Sequence, residues 1–468
     1  MSSLETDADG YTKALSKRQV QMIAIGGAIG VGLFLGAGGR LATAGPSLIL
    51  SYAVCGLAAF FVMRALGELV LHRPVAGSFV EYAREFIGPW AGFTSGWMYW
   101  VNWAMTGIAE ITAVAIYMHK WFPNAPQWIT ALVALVVLVS INMLSVKLFG
   151  ELEFWFSVIK VTAIVVFLVT GIGLVIGAAD IGGTTASVSN TLGHGGLFPH
   201  GFGVALMTLQ AVVFAYSAIE LVGIAAGETK DPEKIMPRAI NGVVYRIAIF
   251  YVGSVLLLTM LLPWDHFTGT ESPFVTVFSA LGIPAVGDIM NAVVLTAALS
   301  SCNSGLYSTG RILRSLAQKG EAPAFTGKMN SRHVPYGGIL FTGAAYLFGV
   351  VLNYIVPKEA FDIAIAVASL GVVSTWATLI ICQMKLRKKA LAGQVTRPSY
   401  RMPGAPYTSW GTLVFLALVI GQMAFAGTAE KIAFWSIPVL ALLLFLGWRF
   451  VKSRQPAGAA QEQLVTVD

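Results

Sequence analysis

Charge is what this sequence has least of. Asp, Glu, Lys and Arg make up 11% of 468 residues, against about 25% in a soluble globular domain. With 56% hydrophobic residues, that shortage excludes an ordinary water-soluble fold and implies an integral membrane protein. The number of spans then says more than length about organisation. Cysteine is scarce too. Cys55, Cys302 and Cys382 are odd in number, lie in apolar stretches and match no metal spacing. They imply packing, not a disulfide framework or a thiolate site. The first nineteen residues are polar, with no short apolar core and cleavage site behind them. No removable signal peptide is expected, and the first span itself directs insertion. No loop carries a nucleophile–base pair or metal-ligand spacing, so neither an enzyme nor a resident cofactor or metal is expected. The formal charge of +7 raises nucleic acid as a partner. Its bases are spread over many short loops, and no nucleic-acid partner is expected.

What the chain has in excess is apolar sequence broken by glycine. Met22 to Gly39 reads MIAIGGAIGVGLFLGAGG. Glycine is poor in a helix interior because it loses the most backbone freedom on ordering. One reading is a membrane helix that unwinds partway, tolerated only where the backbone lines a cavity or is buried. Freed N–H groups, aided by the positive end of the next half-helix, can then hold a small carboxylate without a basic side chain. The other is close helix packing by small residues. No strand precedes the stretch and its G-x-G-x-x-G spacing is loosened, so a dinucleotide site is not expected.

A helix needs roughly 20 apolar residues to cross a bilayer. About twelve such stretches occur, near 20–43, 47–70, 91–117, 127–146, 154–177, 202–226, 240–262, 285–317, 336–356, 361–384, 410–427 and 431–451. Of the 30 Lys and Arg residues, 25 fall in one set of loops and adjoining span ends. The opposite set holds Arg40, Lys120, Lys358 and Lys431, and Lys160 alone lies inside a span. This asymmetry places both termini in the cytoplasm and supports an even number of spans. The link from His72 to Gly88 reads as a turn and a capped surface helix. The third span is rich in aromatics: Trp97, Tyr99 and Trp100 as belt candidates, with Trp103 deeper. The link from Asp180 to His200 is rich in Gly, Ser and Thr, and its two histidines are expected in solvent.

The sixth span, AVVFAYSAIELVGIAAGETKDP from Ala211, repeats the theme of the first. Ser217 can loosen the backbone by competing for its hydrogen bonds. Spans one and six are five apart, the spacing of inverted repeats whose discontinuous helices meet at mid-membrane. The expected division is a tail over 1–19, a first repeat over 20–200, a second over 201–390, two added spans over 391–452 and a tail over 453–468.

Charges inside a membrane are costly and default to functional hypotheses. Glu68 stands one helical turn from Arg64, and a local ion pair is expected. Glu110, in mid-span three, either handles a proton or substrate amine, or makes a structural hydrogen bond. Lys160 either snorkels to the interface or loses and regains a proton during a cycle. Glu220 either caps amides freed in span six or relays protons. Ser300, Ser301, Asn303 and Ser304 form a dense polar cluster on span eight, for interhelical contacts or for an ion site.

GGAIGVGLFLG, FGELEFWFSVIKV and FAYSAIELVGIAAGETKDP resemble the amino-acid permease family of the amino acid–polyamine–organocation superfamily, from about Ser16 to Arg449. RPVAGSFVEYAREFIG and TRPSYRMPGAPYTSW are most similar to its bacterial asparagine-carrying branch. The resemblance implies an all-α membrane fold of about twelve helices. Ten form a LeuT-like five-plus-five inverted repeat with helices one and six discontinuous, and two are added C-terminally. It also implies proton-driven uptake of a neutral polar amino acid at the plasma membrane. Gly30, Val31 and Gly32 would bind the substrate carboxylate through backbone N–H groups. Carbonyls of Ala28 or Ile29 and of Phe214, Ala215 and Ser217 would receive the ammonium, with Phe214 as an aromatic gate. Trp103, Thr106, Gly107 and Glu110 would face the substrate side chain. Lys160 would replace the sodium of sodium-driven relatives, the proton being the coupling ion. Val31 departs from the family's frequent Thr or Ser, which removes a hydroxyl contact. Tyr216-Ser217-Ala218 departs from the pattern of aromatic and lysine carriers.

Other classes are an exchanger, a carrier of 4-aminobutyrate or aromatic amino acids, a channel and a sensor. A channel needs charge rings or carbonyl filters, and the acidic residues here are scattered over different spans. A sensor needs an added signalling domain, for which the short ends leave little room.

Overall fold

The structure, a computed structural model, describes residues 29–74, 78–144, 146–221, 237, 240–242 and 245–454. Helices α1 (Val31–Phe34) and α2 (Gly36–Ala44) lead into α3 (Leu48–His72). Next come α4 (Ser78–Phe86), α5 (Pro89–His119), α6 (Gln127–Leu144) and α7 (Val146–Ile176). A small antiparallel hairpin, β1 (Asp180–Ile181) with β2 (Thr184–Thr185), interrupts the helices and pairs Asp180 with Thr185. It lies at the start of the link from Asp180 to His200.

The second half runs α8 (Asn190–Gly193), α9 (Phe202–Met207), α10 (Leu209–Ala215), a π-helical turn (Ile247–Gly253) and α11 (Ser254–Leu261). It continues with α12 (Pro273–Ala280), α13 (Pro284–Gln318), α14 (Tyr336–Ile355) and α15 (Ala360–Leu391). Last are α16 (Tyr407–Met423) and α17 (Thr428–Arg454). Proline opens α5, α12 and α13, where its missing N–H would have no helical partner anyway.

Among the described residues, nine helical runs are long and apolar enough to cross a membrane, and Phe202–Ala215 and Tyr407–Met423 are shorter apolar helices. The first run, Gly36–His72, holds parts of two expected spans. It is broken at Gly45, with φ +62°. The chain is thus a multi-pass membrane protein. The centre is α5, which packs along α13 and α15. The apolar stretches of α5 and α15 are 78% and 72% buried, against 6% for α17, which therefore lies at the periphery. Val133, Val136 and Val137 of α6 are exposed. Such faces would be a liability in water and are ordinary against lipid.

The expected surface helix is α4. Its apolar side buries Phe79, Tyr82 and Ala83. Its polar side ties it to the end of α13, with Arg84 bidentate on Glu321 at 2.7 and 2.8 Å and Lys319 on Glu81. The expected turn and cap run from Pro74 to Ser78, and residues 75–77 of that opening lie outside the described residues. Tyr99 is not a belt residue: it is fully buried, 4.8 Å from the Phe79 ring.

Glu68 does not pair with Arg64. Its carboxylate receives Arg397 Nε at 2.5 Å, Gln383 Nε2 at 3.0 Å and the Met402 N–H at 2.9 Å. Arg64 instead donates to the Arg401 carbonyl at 2.5 Å. The one-turn spacing on α3 lost to partners more than 300 residues away, Gln383 on α15 and two donors on the loop that follows it, around a carboxylate buried from solvent. Glu68→Ala is therefore expected to lower stability by about 3 kcal/mol, since it strips the partner from a largely buried cation. A lowered thermal midpoint in detergent would show this. An unchanged midpoint would mean that Glu68 does not hold the loop.

Candidate functional site

Among the described residues, the backbone departs from helix at both places where breaks are expected. Gly30 is extended (φ −132°, ψ −164°), and helix begins only at Val31. The Gly30 carbonyl accepts from the N–H groups of Leu33 and Phe34, each at 3.2 Å. A second irregularity at Leu35 separates α1 from α2. Ala28, the other expected ligand there, lies outside the described residues. On the opposite side α10 stops at Ala215. Ser217 N–H turns back to the Phe214 carbonyl at 2.8 Å, and Ala218 takes φ +67°. A left-handed alanine costs about 1–2 kcal/mol. Backbone strain of this kind persists only where the surroundings over-determine it.

The two breaks touch. A Cβ built on Gly32 would lie 2.6 Å from Ala215 Cα, which only a glycine allows. Tyr52 of α3 holds both: its hydroxyl donates to the Gly32 carbonyl at 3.3 Å, and its own carbonyl accepts from Tyr216 Oη at 2.9 Å. The Tyr216 ring lies 6.0 Å from Tyr52 and 4.6 Å from Tyr251 on the π-helical turn. Phe214 and Ala215 are buried and Ser217 is half-buried.

Glu110 of α5 stands at the start of α1. Its Oε1 is 3.3 Å, and Ser301 Oγ 3.6 Å, from where a Gly30 Cβ would sit. Glu110 is 1% exposed and its Oε2 has no hydrogen-bond partner. Trp103 lies two turns away on α5, buried, with Nε1 unpartnered. Its carbonyl accepts from Tyr346 Oη at 3.2 Å. Thr106 is buried, 3.5 Å from Asn102 Oδ1. Gly107 lies beneath the Tyr346 ring: an added Cβ would meet Tyr346 Cζ at 1.8 Å, so its small size serves the α5–α14 contact.

Lys160 does not snorkel. It is 0% exposed, in the middle of α7, and its Nζ donates to Ser300 Oγ at 3.0 Å. Ser300 in turn donates to Glu153 Oε1 at 2.6 Å. Adjacent serines on α13 thus connect two polar groups, Ser301 facing Glu110 and Gly30, Ser300 facing Lys160 and Glu153. The rest of the cluster divides, with Asn303 accepting from Asn142 of α6 at 2.8 Å and Ser304 Oγ buried without a partner. Glu220 is buried just past the second break, its Oε2 also unpartnered.

Two participants escaped the reading of the sequence. Glu153 begins where the fifth span was expected to start and so looked interfacial. Its signal was the helical spacing Glu153, Ser157, Lys160, which puts three polar side chains on one face. Tyr52 gave no signal, as a lone tyrosine in an apolar span.

Two facing stretches of non-helical backbone, one buried lysine and three buried carboxylates, Glu110, Glu153 and Glu220, can hold a small zwitterion and move a proton near it. Residues 19–459 match the family described as Amino acid permease. The L-asparagine permease of Escherichia coli (strain K12) is 55% identical over 453 residues, 96% of this chain and 91% of that protein. That of Streptomyces coelicolor is 54% identical over 456 residues, 97% and 93% of the two chains. L-asparagine permease 1 of Mycobacterium tuberculosis (strain ATCC 25618 / H37Rv) is 54% identical over 460 residues, again 97% and 93%.

Proposed function

We propose, because this chain belongs to the amino acid permease family, that it is a secondary transporter that imports L-asparagine together with a proton. It is a permease and not an enzyme. The observation that carries the reading is the meeting of two helix breaks, Gly30 to Gly32 against Ala215 to Ala218, beside a buried lysine. The architecture we assign is twelve spans, with two five-span halves of opposite topology and two added helices. Both ends lie in the cytoplasm of a plasma-membrane protein, as the loop charges favour.

In this scheme the α-carboxylate of the substrate lies against the N–H groups of Gly30, Val31 and Gly32. The ammonium lies against carbonyls around Ile29 and the Phe214–Ser217 turn. Peptide dipoles released from helical bonding supply the charge complement that a bilayer interior otherwise lacks. The carboxamide points to α5, where Trp103 Nε1 and Thr106 offer polar atoms. Discrimination for an amide comes from such groups, since a site built around hydrogen bonds strongly rejects an analogue that leaves them unpaired. Lys160 carries the coupled proton, with Glu110 facing it and Glu220, past the second break, as the other carboxylate of the scheme. Transport proceeds by alternating exposure of this site to the two sides.

The test uses purified protein in proteoliposomes with labelled L-asparagine and an imposed inward proton gradient. Accumulation above the external concentration is expected, with collapse on adding a protonophore and displacement by unlabelled L-asparagine but not by phenylalanine or 4-aminobutyrate. Uptake that ignores the gradient and requires internal amino acid would overturn proton symport in favour of exchange.

A further inference from the structure

We infer that Glu153 is the second proton site of this transporter, joined to Lys160 through the Ser300 hydroxyl. The inference rests on the proton-symport reading above and adds the route by which the proton leaves the lysine. Its ground is geometric. Glu153 and Lys160 are seven residues apart on α7, two turns or about 10 Å along the axis. Both are 0% exposed. A single hydroxyl connects them, accepting from Lys160 Nζ at 3.0 Å and donating to Glu153 Oε1 at 2.6 Å. Glu153 Oε2 and the Ser157 hydroxyl between the two levels are buried without partners.

A carboxylate used only as scaffold would be expected to satisfy both oxygens, because an unpartnered buried polar atom is costly. Glu153 keeps one oxygen open and commits the other to the hydroxyl that also faces the lysine. The transfer balances. Lys160 gives one ammonium proton to Ser300 Oγ as Ser300 gives its hydroxyl proton to Glu153 Oε1. The charged pair becomes a neutral amine and a neutral carboxylic acid, and the serine ends as a hydroxyl turned the other way. No net charge moves between the membrane and water in this step, which spares the large cost of charge in a low dielectric.

Glu153 lies on the side of Lys160 nearer the start of α7, the end assigned to the cytoplasm by loop charge. The titratable and charged groups around the route are few. Glu110 faces Lys160 from α5. Farther along α13 toward the same end stand Tyr307, stacked on Phe149 at 3.9 Å, and Arg311, 4.5 Å over the Tyr307 ring. From α6 the neighbouring polar group is the neutral Asn142. Proton release therefore runs from mid-membrane along the α7–α13 seam, separate from the substrate's place between α1 and α10.

Glu153→Gln, Ser300→Ala and Ser300→Thr are compared with wild type in proteoliposomes, by two readouts. One is gradient-driven accumulation of labelled L-asparagine. The other is counterflow, the exchange of labelled for internal unlabelled L-asparagine with no gradient. The expected result is that Glu153→Gln and Ser300→Ala lose accumulation at least tenfold while counterflow stays within threefold. Ser300→Thr, which retains a hydroxyl, keeps both. Accumulation equal to wild type in Glu153→Gln would overturn the inference. So would parallel loss of accumulation and counterflow in both Glu153→Gln and Ser300→Ala, which would mark a structural role. If Glu153→Gln fails to fold, Ser300→Ala against Ser300→Thr decides alone. Wild-type protein that shows counterflow but no gradient-driven accumulation would instead fail the symport reading itself, in an arm that contains no variant.

Discussion

Gly32→Ala is expected to cut L-asparagine uptake by about a hundredfold, the usual cost of misplacing a site by about 1 Å. The new methyl would stand 2.6 Å from Ala215 Cα and 3.2 Å from Ala215 N. Those are backbone atoms, so no side chain can rotate away, and close-packed interiors transmit such a displacement. The two breaks must then separate, and Gly32 shifts away from Tyr52 as they do. Binding, read as thermal stabilisation by L-asparagine, should weaken along with uptake. The comparison is Gly173→Ala on α7, where an added Cβ meets nothing within 4 Å. That variant should transport as wild type does. If Gly32→Ala does so as well, the close crossing of α1 and α10 is not where substrate is held.

Lys160→Ala is expected to abolish uphill uptake while L-asparagine binding remains detectable. Lys160 Nζ donates to Ser300, and the Gly32–Ala215 approach that joins the two breaks does not involve it, so the pocket is expected to survive. Coupling does not, because no other buried base stands on the α7–α13 seam among the described residues. Stability should also fall, by about 3–5 kcal/mol if Glu153 stays ionised without its counter-charge. Concentrative uptake at the wild-type level in Lys160→Ala would sink the coupling role.

Much of the helical layout was legible before any coordinates. The expected stretches 91–117, 285–317 and 336–356 sit inside or over Pro89–His119, Pro284–Gln318 and Tyr336–Ile355. Hydropathy over some twenty residues is a strong signal because the bilayer leaves a chain few alternatives. The non-helical backbone at Gly30 and past Ala215 was legible too, from glycine crowding and from Tyr216-Ser217-Ala218, since each weakens local helix for a stated reason. What depended on distant partners was not. Glu68 was assigned to Arg64 because local spacing is all a sequence displays, whereas Arg397 arrives from 329 residues away. Gly107 looked like a pocket residue, yet what demands its size is Tyr346 on another helix. Glu153 was hidden at a span boundary, because a carboxylate there is unremarkable until the facing hydroxyl of Ser300 is known.

Tyr52 carries one more consequence. Its phenol grips one interrupted rod and its peptide oxygen the other, through a single rigid helix, α3. A tilt of α3 therefore pulls on both rods together, and neither can slide without dragging its counterpart. The clamp around a zwitterion would loosen at both poles in concert, so cargo would leave whole and not one charged end at a time.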